Sequence, residues 1–272
     1  MSPSHRPWSQ KDKVELDLLA SNYHHHLQWM KTPPLKHIPQ VIHFIWIGPR
    51  PFPEKSIPNV ISWIQHHPDW EIIFWTDSDD RNVPVPGMKK RLVQEYDFGA
   101  LSPLLAQSTV YCEKTDMMRY TILFKEGGVY ADHDIWCDKS VDPLSSHFDF
   151  VVGLDPAQEH PGIESNVIPN NSIIISRAGH PILLKTIETI IQGWDSATQM
   201  CPGTDQKSIF ERVMRRTLSP FVSSIKNCRN LETRNIILPD IYFYSHKAFT
   251  PEELENLRQK GYIYAIHKHV SG

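Results

Sequence analysis

Glu126-Gly127-Gly128-Val129-Tyr130-Ala131-Asp132-His133-Asp134, preceded by Asp116-Met117-Met118-Arg119, sets charged groups around a double glycine and ends in two closely spaced aspartates. In a strand, side chains alternate faces at about 3.3 Å per residue, so the spacing predicts Asp132 and Asp134 on one side. Two carboxylates in a cleft repel each other, and an unpaired buried charge is costly. A divalent cation, Mn²⁺ or Mg²⁺, resolves the conflict, because hard cations held by oxygen take waters or substrate phosphates as further ligands. The pair therefore reads as half of a site that metal and pyrophosphate complete. The plainer reading is a strand end with solvated acids. A second triplet, Asp77-Ser78-Asp79, reads as a turn, since Asp and Ser hydrogen-bond their own backbone there.

Upstream, Ser108 or Thr109 is placed to cap a helix running to about Glu126, and Gly127 suits its left-handed stop. Asp116 and Arg119 fall at i and i+3, on one face of that helix; as an exposed ion pair they contribute only a few tenths of a kcal/mol. The nearly continuous apolar run from Ile38 through Ile45-Trp46-Ile47-Gly48 reads as a strand buried on both faces, as in a parallel sheet. In an open α/β sheet the ligand sits outside the carboxyl ends of strands, which places Trp46 and Ile47 at a cleft mouth. A core tryptophan is the alternative. A helix over 57–67 and a strand over 69–77 complete a strand–helix–strand crossover.

Thr115-Asp116-Met117-Met118-Arg119, Ile122-Leu123 and Gly127-Gly128-Val129-Tyr130-Ala131-Asp132-His133-Asp134 together resemble the sugar-binding region of glycosyltransferase family 32. Its pattern is Ser/Thr-Asp-x-x-Arg, an apolar helical turn, then Gly-Gly-x-Tyr-x-Asp-x-Asp. The His67-Pro68-Asp69-Trp70 turn and Trp75-Thr76-Asp77 extend the resemblance. It implies an α/β fold of GT-A type, with a Rossmann-like, mostly parallel central sheet flanked by helices. It further implies metal-dependent, retaining transfer of a hexose or N-acetylhexosamine from a nucleotide-diphosphate sugar. A UDP-sugar is favoured, and the acceptor is a glycan, lipid or protein. By the same resemblance Asp134 holds Mn²⁺ or Mg²⁺, with Asp132 and His267 as further ligands. Asp132 contacts ribose and sugar, Asp116 and Arg119 hold the sugar hydroxyls, and Tyr130 braces the site. Trp46 stacks on the base beside Ile47, and Gly128, Asn170 and Ser271 complete the nucleotide-sugar contacts. Asn166 and Asn171 are alternatives to Asn170, with loop-forming asparagines as the plainer reading. Asp205 lies where relatives carry an acceptor loop.

The rest of the chain bounds the reading. With 272 residues and no Gly/Ser linker, repeat or low-complexity block, one domain over 37–272 is expected behind an N-terminal helical extension over 1–36. A net charge of −3 gives no general drive toward nucleic acid. Lys89-Lys90-Arg91 and Arg215-Arg216 read as solvated faces. No run approaches the roughly 20 apolar residues of a transmembrane helix, and the N-terminus has no signal-peptide core. Many family members are Golgi membrane proteins, so the expectation here is a chain that is cytosolic where made, or exported or injected without a classical signal. The four cysteines, Cys112, Cys137, Cys201 and Cys228, lack zinc spacing and read as reduced thiols. His24-His25-His26 spread around a helix and do not converge. Strands are expected over 148–154, 172–176, 242–244 and 262–267, and a helix over 181–192. Relatives end in a Gly-Ser-Trp loop that closes over the diphosphate, whereas this sequence stops at Gly272, so that loop is expected to be cut short or replaced. Two rivals remain: a non-catalytic nucleotide-sugar binder, and a haloacid-dehalogenase-like phosphatase suggested by Asp132-His133-Asp134-Ile135.

Overall fold

The computed structural model describes residues 7–156, 163, 165–227, 232–243, 249–268 and 270. Helix α1 (Gln10–His26) starts from a reciprocal Ser9–Asp12 capping box. It buries acids rather than an apolar stripe. Asp12 accepts from the Asn166 backbone at 2.9 Å and from its side chain at 3.1 Å, and Glu15 meets Lys226 Nζ at 3.0 Å.

The apolar run forms β1 (Val41–Trp46), linked through α2 (Ile57–His66) to β2 (Glu71–Thr76), which pairs parallel to it from Val41↔Glu71 to Trp46↔Thr76. The edge strand β3 (Lys89–Leu92) follows, parallel to β2. Its lysines protect an exposed edge. Arg91, however, is not simply solvated: it meets Glu126 at 2.7 Å and lies 4.1 Å over the Trp75 ring. Helix α3 (Ser102–Gln107) leads to α4 (Tyr111–Glu126), whose N-cap is Val110. The expected Ser108 cap instead accepts from the Val110 N–H at 3.2 Å and donates back to its carbonyl, so it shapes the approach to the helix.

At the end of α4, Gly127 (φ +71°) and Gly128 (φ +100°) turn the chain directly into β4 (Gly128–Ala131), parallel to β1. A Cβ at Gly128 would lie 2.6 Å from the Val41 carbonyl oxygen. Gly128→Ala is therefore expected to destabilise the fold at the upper end of the about 1–3 kcal/mol that a strained non-glycine backbone costs, read as a lower urea midpoint. A loss below about 1 kcal/mol would show that this junction yields without strain.

Beyond β4 come β5 (Ile135–Cys137), α5 (Asp142–His147), β6 (Phe150–Leu154) and β7 (Pro169–Ser176). Helix α6 (Pro181–Met200) runs past the expected stop near residue 192, because Trp194 and Ala197 continue its buried face. Then follow α7 (Gln206–Val213), a π-helical turn (Met214–Leu218), α8 (Ser219–Asn227), β8 (Asn235–Leu238), α9 (Pro251–Gln259) and β9 (Ala265–His267). Among the described residues the central sheet has seven strands in the order β3-β2-β1-β4-β7-β6-β8, with β7 antiparallel to both neighbours and the remaining pairs parallel. Alternate residues feed opposite layers. Ile45, Trp75, Tyr130 and Ile174 pack toward α4, α6 and α8, while Phe44, Phe74, Val129 and Ile175 pack toward Trp63 of α2.

Two expectations change. Tyr242 lies in a 3₁₀ turn (Asp240–Tyr242) rather than a strand, and Tyr244 falls outside the described residues. The strand expected over 262–267 is confined to β9 (Ala265–His267), which pairs antiparallel with β5, His267 opposite Ile135. No helix among the described residues is long and apolar enough to cross a membrane.

Candidate nucleotide-sugar cleft

Because β1 and β4 are parallel, both end at the same edge of the sheet. There a cavity of about 610 Å³ opens, within the size range of small-molecule sites. From the end of β1 come Trp46, Ile47 and Arg50, and from the end of β4 Tyr130, Asp132, His133 and Asp134. Helix α4 contributes Tyr111, Thr115 and Arg119, and β9 contributes His267. The aspartate pair does not sit within a strand as expected. β4 stops at Ala131, and Asp132 and Asp134 occupy a turn closed by the Ile135 N–H on the Asp132 carbonyl at 3.1 Å. The chain must turn here because β4 and β5 belong to different sheets.

Arg119 is the centre of charge. Its guanidinium donates to the Asn171 carbonyl at 2.8 Å, meets Asp116 at 3.2 Å and Asp132 at 3.3 Å, and lies 4.2 Å over the Tyr130 ring. Burial would favour its neutral form, but Asp132, Tyr130 and Asp116 outweigh that and hold it firmly cationic. Its Nε is buried and has no hydrogen-bond partner among the described residues. Tyr130 donates its hydroxyl proton to Asp132 at 2.6 Å, onto the carboxylate oxygen that faces Arg119. One oxygen of Asp132 is thus committed to protein partners.

Asp134 meets His267 Nε2 at 3.1 Å. Burial raises the Asp134 pKa, but the His267 hydrogen bond and charge outweigh it and lower the value overall. Burial likewise lowers His267, and Asp134 more than reverses it. The two form a hydrogen-bonded carboxylate–imidazole pair. His133, between the aspartates, turns its ring edge-on to Trp46 at 4.9 Å and hydrogen-bonds Ser56 through Nδ1 at 2.7 Å. Trp46 is partly exposed at the cavity wall and donates its indole N–H to the Arg50 carbonyl at 2.9 Å.

Other expected site residues lie elsewhere. Asp116 is not in the cavity wall. At about 100° per residue it stands some 60° around α4 from Arg119, away from the face shared by Tyr111, Thr115 and Arg119. It is buried, accepting from Asn171 at 3.0 Å and from Thr217 at 2.6 Å. Gly128 begins β4, roughly 10 Å of strand from the cleft, and serves the close approach to β1. Asn170 bonds Asp155 at 2.9 Å, Asn166 is held by Asp12, and Asn171 is the one of the three that joins the Arg119 network. Asp205 caps α7 through the N–H groups of Lys207 and Ser208, both at 3.1 Å, which accounts for its place in the sequence. Ser271 lies outside the described residues. Sequence reasoning missed Tyr111, which follows from the i, i+4, i+8 spacing of 111, 115 and 119, and Thr217, for which no local signal exists.

The mostly parallel sheet with helices on both faces is of the GT-A type. Residues 53–151 match the family described as the glycosyltransferase sugar-binding region containing a DXD motif. It is 31 % identical over 156 residues to inositol phosphoceramide mannosyltransferase 3 of Schizosaccharomyces pombe, covering 56 % of this chain and 37 % of that protein. It is 29 % identical over 171 residues to subversion of eukaryotic traffic protein A of Legionella pneumophila, covering 58 % and 26 %. The matched stretch thus spans less than half the length of either relative. Among solved structures, the UDP-bound glycosyltransferase domain of the YGT toxin superposes with a TM-score of 0.52 at 10 % identity, over 79 % of this chain and 82 % of that one, a likeness of fold.

Proposed function

We propose that this chain is a metal-dependent, retaining glycosyltransferase that moves a hexose or N-acetylhexosamine from a UDP-sugar to a glycan, lipid or protein acceptor. The observation that carries the reading is Arg119, a buried cation whose side chain lines the cavity beside Asp132 and Asp134. A fixed cation in a cavity wall suits an oxygen-rich ligand, and the sugar hydroxyls are the partners assigned to Arg119. Trp46 offers a flat apolar face at the same wall for a base. The UDP named for the toxin domain supports the choice of base, and the mannosyltransferase relatives support a hexose and keep a lipid among the acceptors.

The donor set fits a hard or borderline divalent cation. Among the described residues no three His, Cys, Asp or Glu side chains form a closed metal cage. Asp134 and His267 form an open two-ligand site, the type that Mg²⁺ and Mn²⁺ occupy together with substrate phosphates, and the imidazole favours Mn²⁺. Held there, the cation would offset charge on the departing diphosphate. Arg119 and Tyr130 hold Asp132 and thereby orient the sugar side of the cleft. Asp132 is bound to Arg119 and Asp134 to His267, so neither carboxylate is presented as a nucleophile. With retention taken from the family resemblance, front-face departure and attack is the course that needs no enzymic nucleophile, stabilised by the fixed charges of the cleft.

Calorimetry with UDP- and GDP-sugars, first with Mn²⁺ and then with EDTA, tests this. One UDP-sugar should bind, and its affinity should fall at least about tenfold, or 1.4 kcal/mol, in EDTA. Equal affinity without metal removes the metal from the proposal, and no donor binding by folded protein removes the function. Tight binding with neither transfer nor hydrolysis identifies a nucleotide-sugar binder instead. Retention is read from the anomeric signal of the first product by NMR.

A further inference from the structure

The π-helical turn Met214–Leu218 faces the hidden side of α4. Its closing bond runs from the Ser219 N–H to the Met214 carbonyl, one residue wider than an α-helical turn. Two consecutive residues of the turn grip two acids of α4 that stand at i and i+3. Arg216 meets both oxygens of Glu113 at 3.2 Å, and Thr217 hydrogen-bonds Asp116 Oδ2 at 2.6 Å. Glu113, Asp116 and Thr217 are all buried. The other oxygen of Asp116 meets Arg119 at 3.2 Å and accepts from Asn171, whose carbonyl in turn accepts from Arg119 at 2.8 Å. The Arg119 guanidinium is therefore fixed from behind by a chain that begins at the Thr217 hydroxyl.

We infer that Thr217 is a positioning residue for sugar recognition, acting through Asp116 on Arg119; this rests on the function proposed above. π-turns inside helices often mark functional positions, and this one brings a hydroxyl to the carboxylate that orients the cleft's cation. Arg216 independently anchors the first part of α4, stacking 3.7 Å from the Trp194 ring, so loss of the Thr217 hydroxyl leaves the helix docked.

The test compares Thr217→Val, which keeps the shape and removes the hydroxyl, with Thr217→Ser, which keeps the hydroxyl. Calorimetry in Mn²⁺ measures UDP and the UDP-sugar that the wild type binds. A hydrogen bond to a charged group is worth about 1.5–3 kcal/mol, so T217V should lose the sugar-dependent gain in affinity about tenfold or more. UDP affinity should stay within about twofold, and T217S should restore the gain, because the sugar increment alone reports Arg119. Equal loss for UDP and UDP-sugar, or no loss in T217V, overturns the inference. Exchange of the Arg119 Nε proton, followed by NMR without ligand, tests the coupling even if no donor binds. Faster exchange in T217V than in the wild type and T217S supports it, and unchanged exchange overturns it.

Discussion

Asp134→Ala is expected to lower sugar transfer and donor hydrolysis by about a thousandfold, the upper range for removing one fixed electrostatic partner of a transition state. In the proposed function Asp134 and His267 are the metal's protein ligands, and no third His, Cys, Asp or Glu among the described residues joins them in a metal cage. Alanine there leaves the imidazole alone, too weak a site for a hard cation. The fold should survive, because the Lys268 N–H hydrogen-bonds the Asp134 backbone carbonyl at 2.8 Å and the pairing of β5 with β9 uses main-chain groups. Circular dichroism and the urea midpoint check folding; initial rates in saturating Mn²⁺ check activity. Variant activity within about tenfold of the wild type would place the metal elsewhere and end the assignment of Asp134.

Arg119→Met should produce the largest loss of stability, about 3–5 kcal/mol, because removing one partner of a buried ionic cluster leaves the others uncompensated. Asp116 is buried. Burial already raises its pKa, with Arg119 the largest opposing influence, so without that cation it must bury a charge or take up a proton. Asp132 loses its cation as well. Urea unfolding measures the loss, and adding Asp116→Asn should recover part of it by removing the stranded charge. A loss below about 1 kcal/mol is the behaviour of a surface ion pair and would contradict the packing described for Arg119. In variant protein that remains folded, UDP-sugar affinity should fall further than UDP affinity, since the cation lining the sugar side of the cavity is gone.

Much of this molecule is legible in local pattern. The apolar run before Gly48 requires a doubly buried strand, and the crossover through α2 makes its partner parallel. The double glycine requires a helix to stop and a strand to begin at once, since only glycine accommodates the positive φ there without strain. Those features put Trp46, Asp132 and Asp134 at one sheet edge before any tertiary contact is considered. Helical spacing also holds Tyr111, Thr115 and Arg119 on one face.

Sequence spacing does not decide which side of α4 faces the cleft, and the sugar contact of Asp116 came from the family resemblance alone. The helix is buried nearly all round from Asp116 to Leu123, so its pattern carries no polar face to orient it. Packing alone turns Asp116 inward to Thr217, distant by 101 residues, and leaves Arg119 at the wall. The same holds for Asp134 and His267, which meet across 133 residues because β9 pairs with β5 instead of extending the main sheet. Local sequence determined the backbone that carries the site, because φ limits and apolar periodicity act between near neighbours. The partners of each buried charge were decided only by the tertiary structure, because a desolvated charge is matched by whichever group the packed chain brings within hydrogen-bond reach.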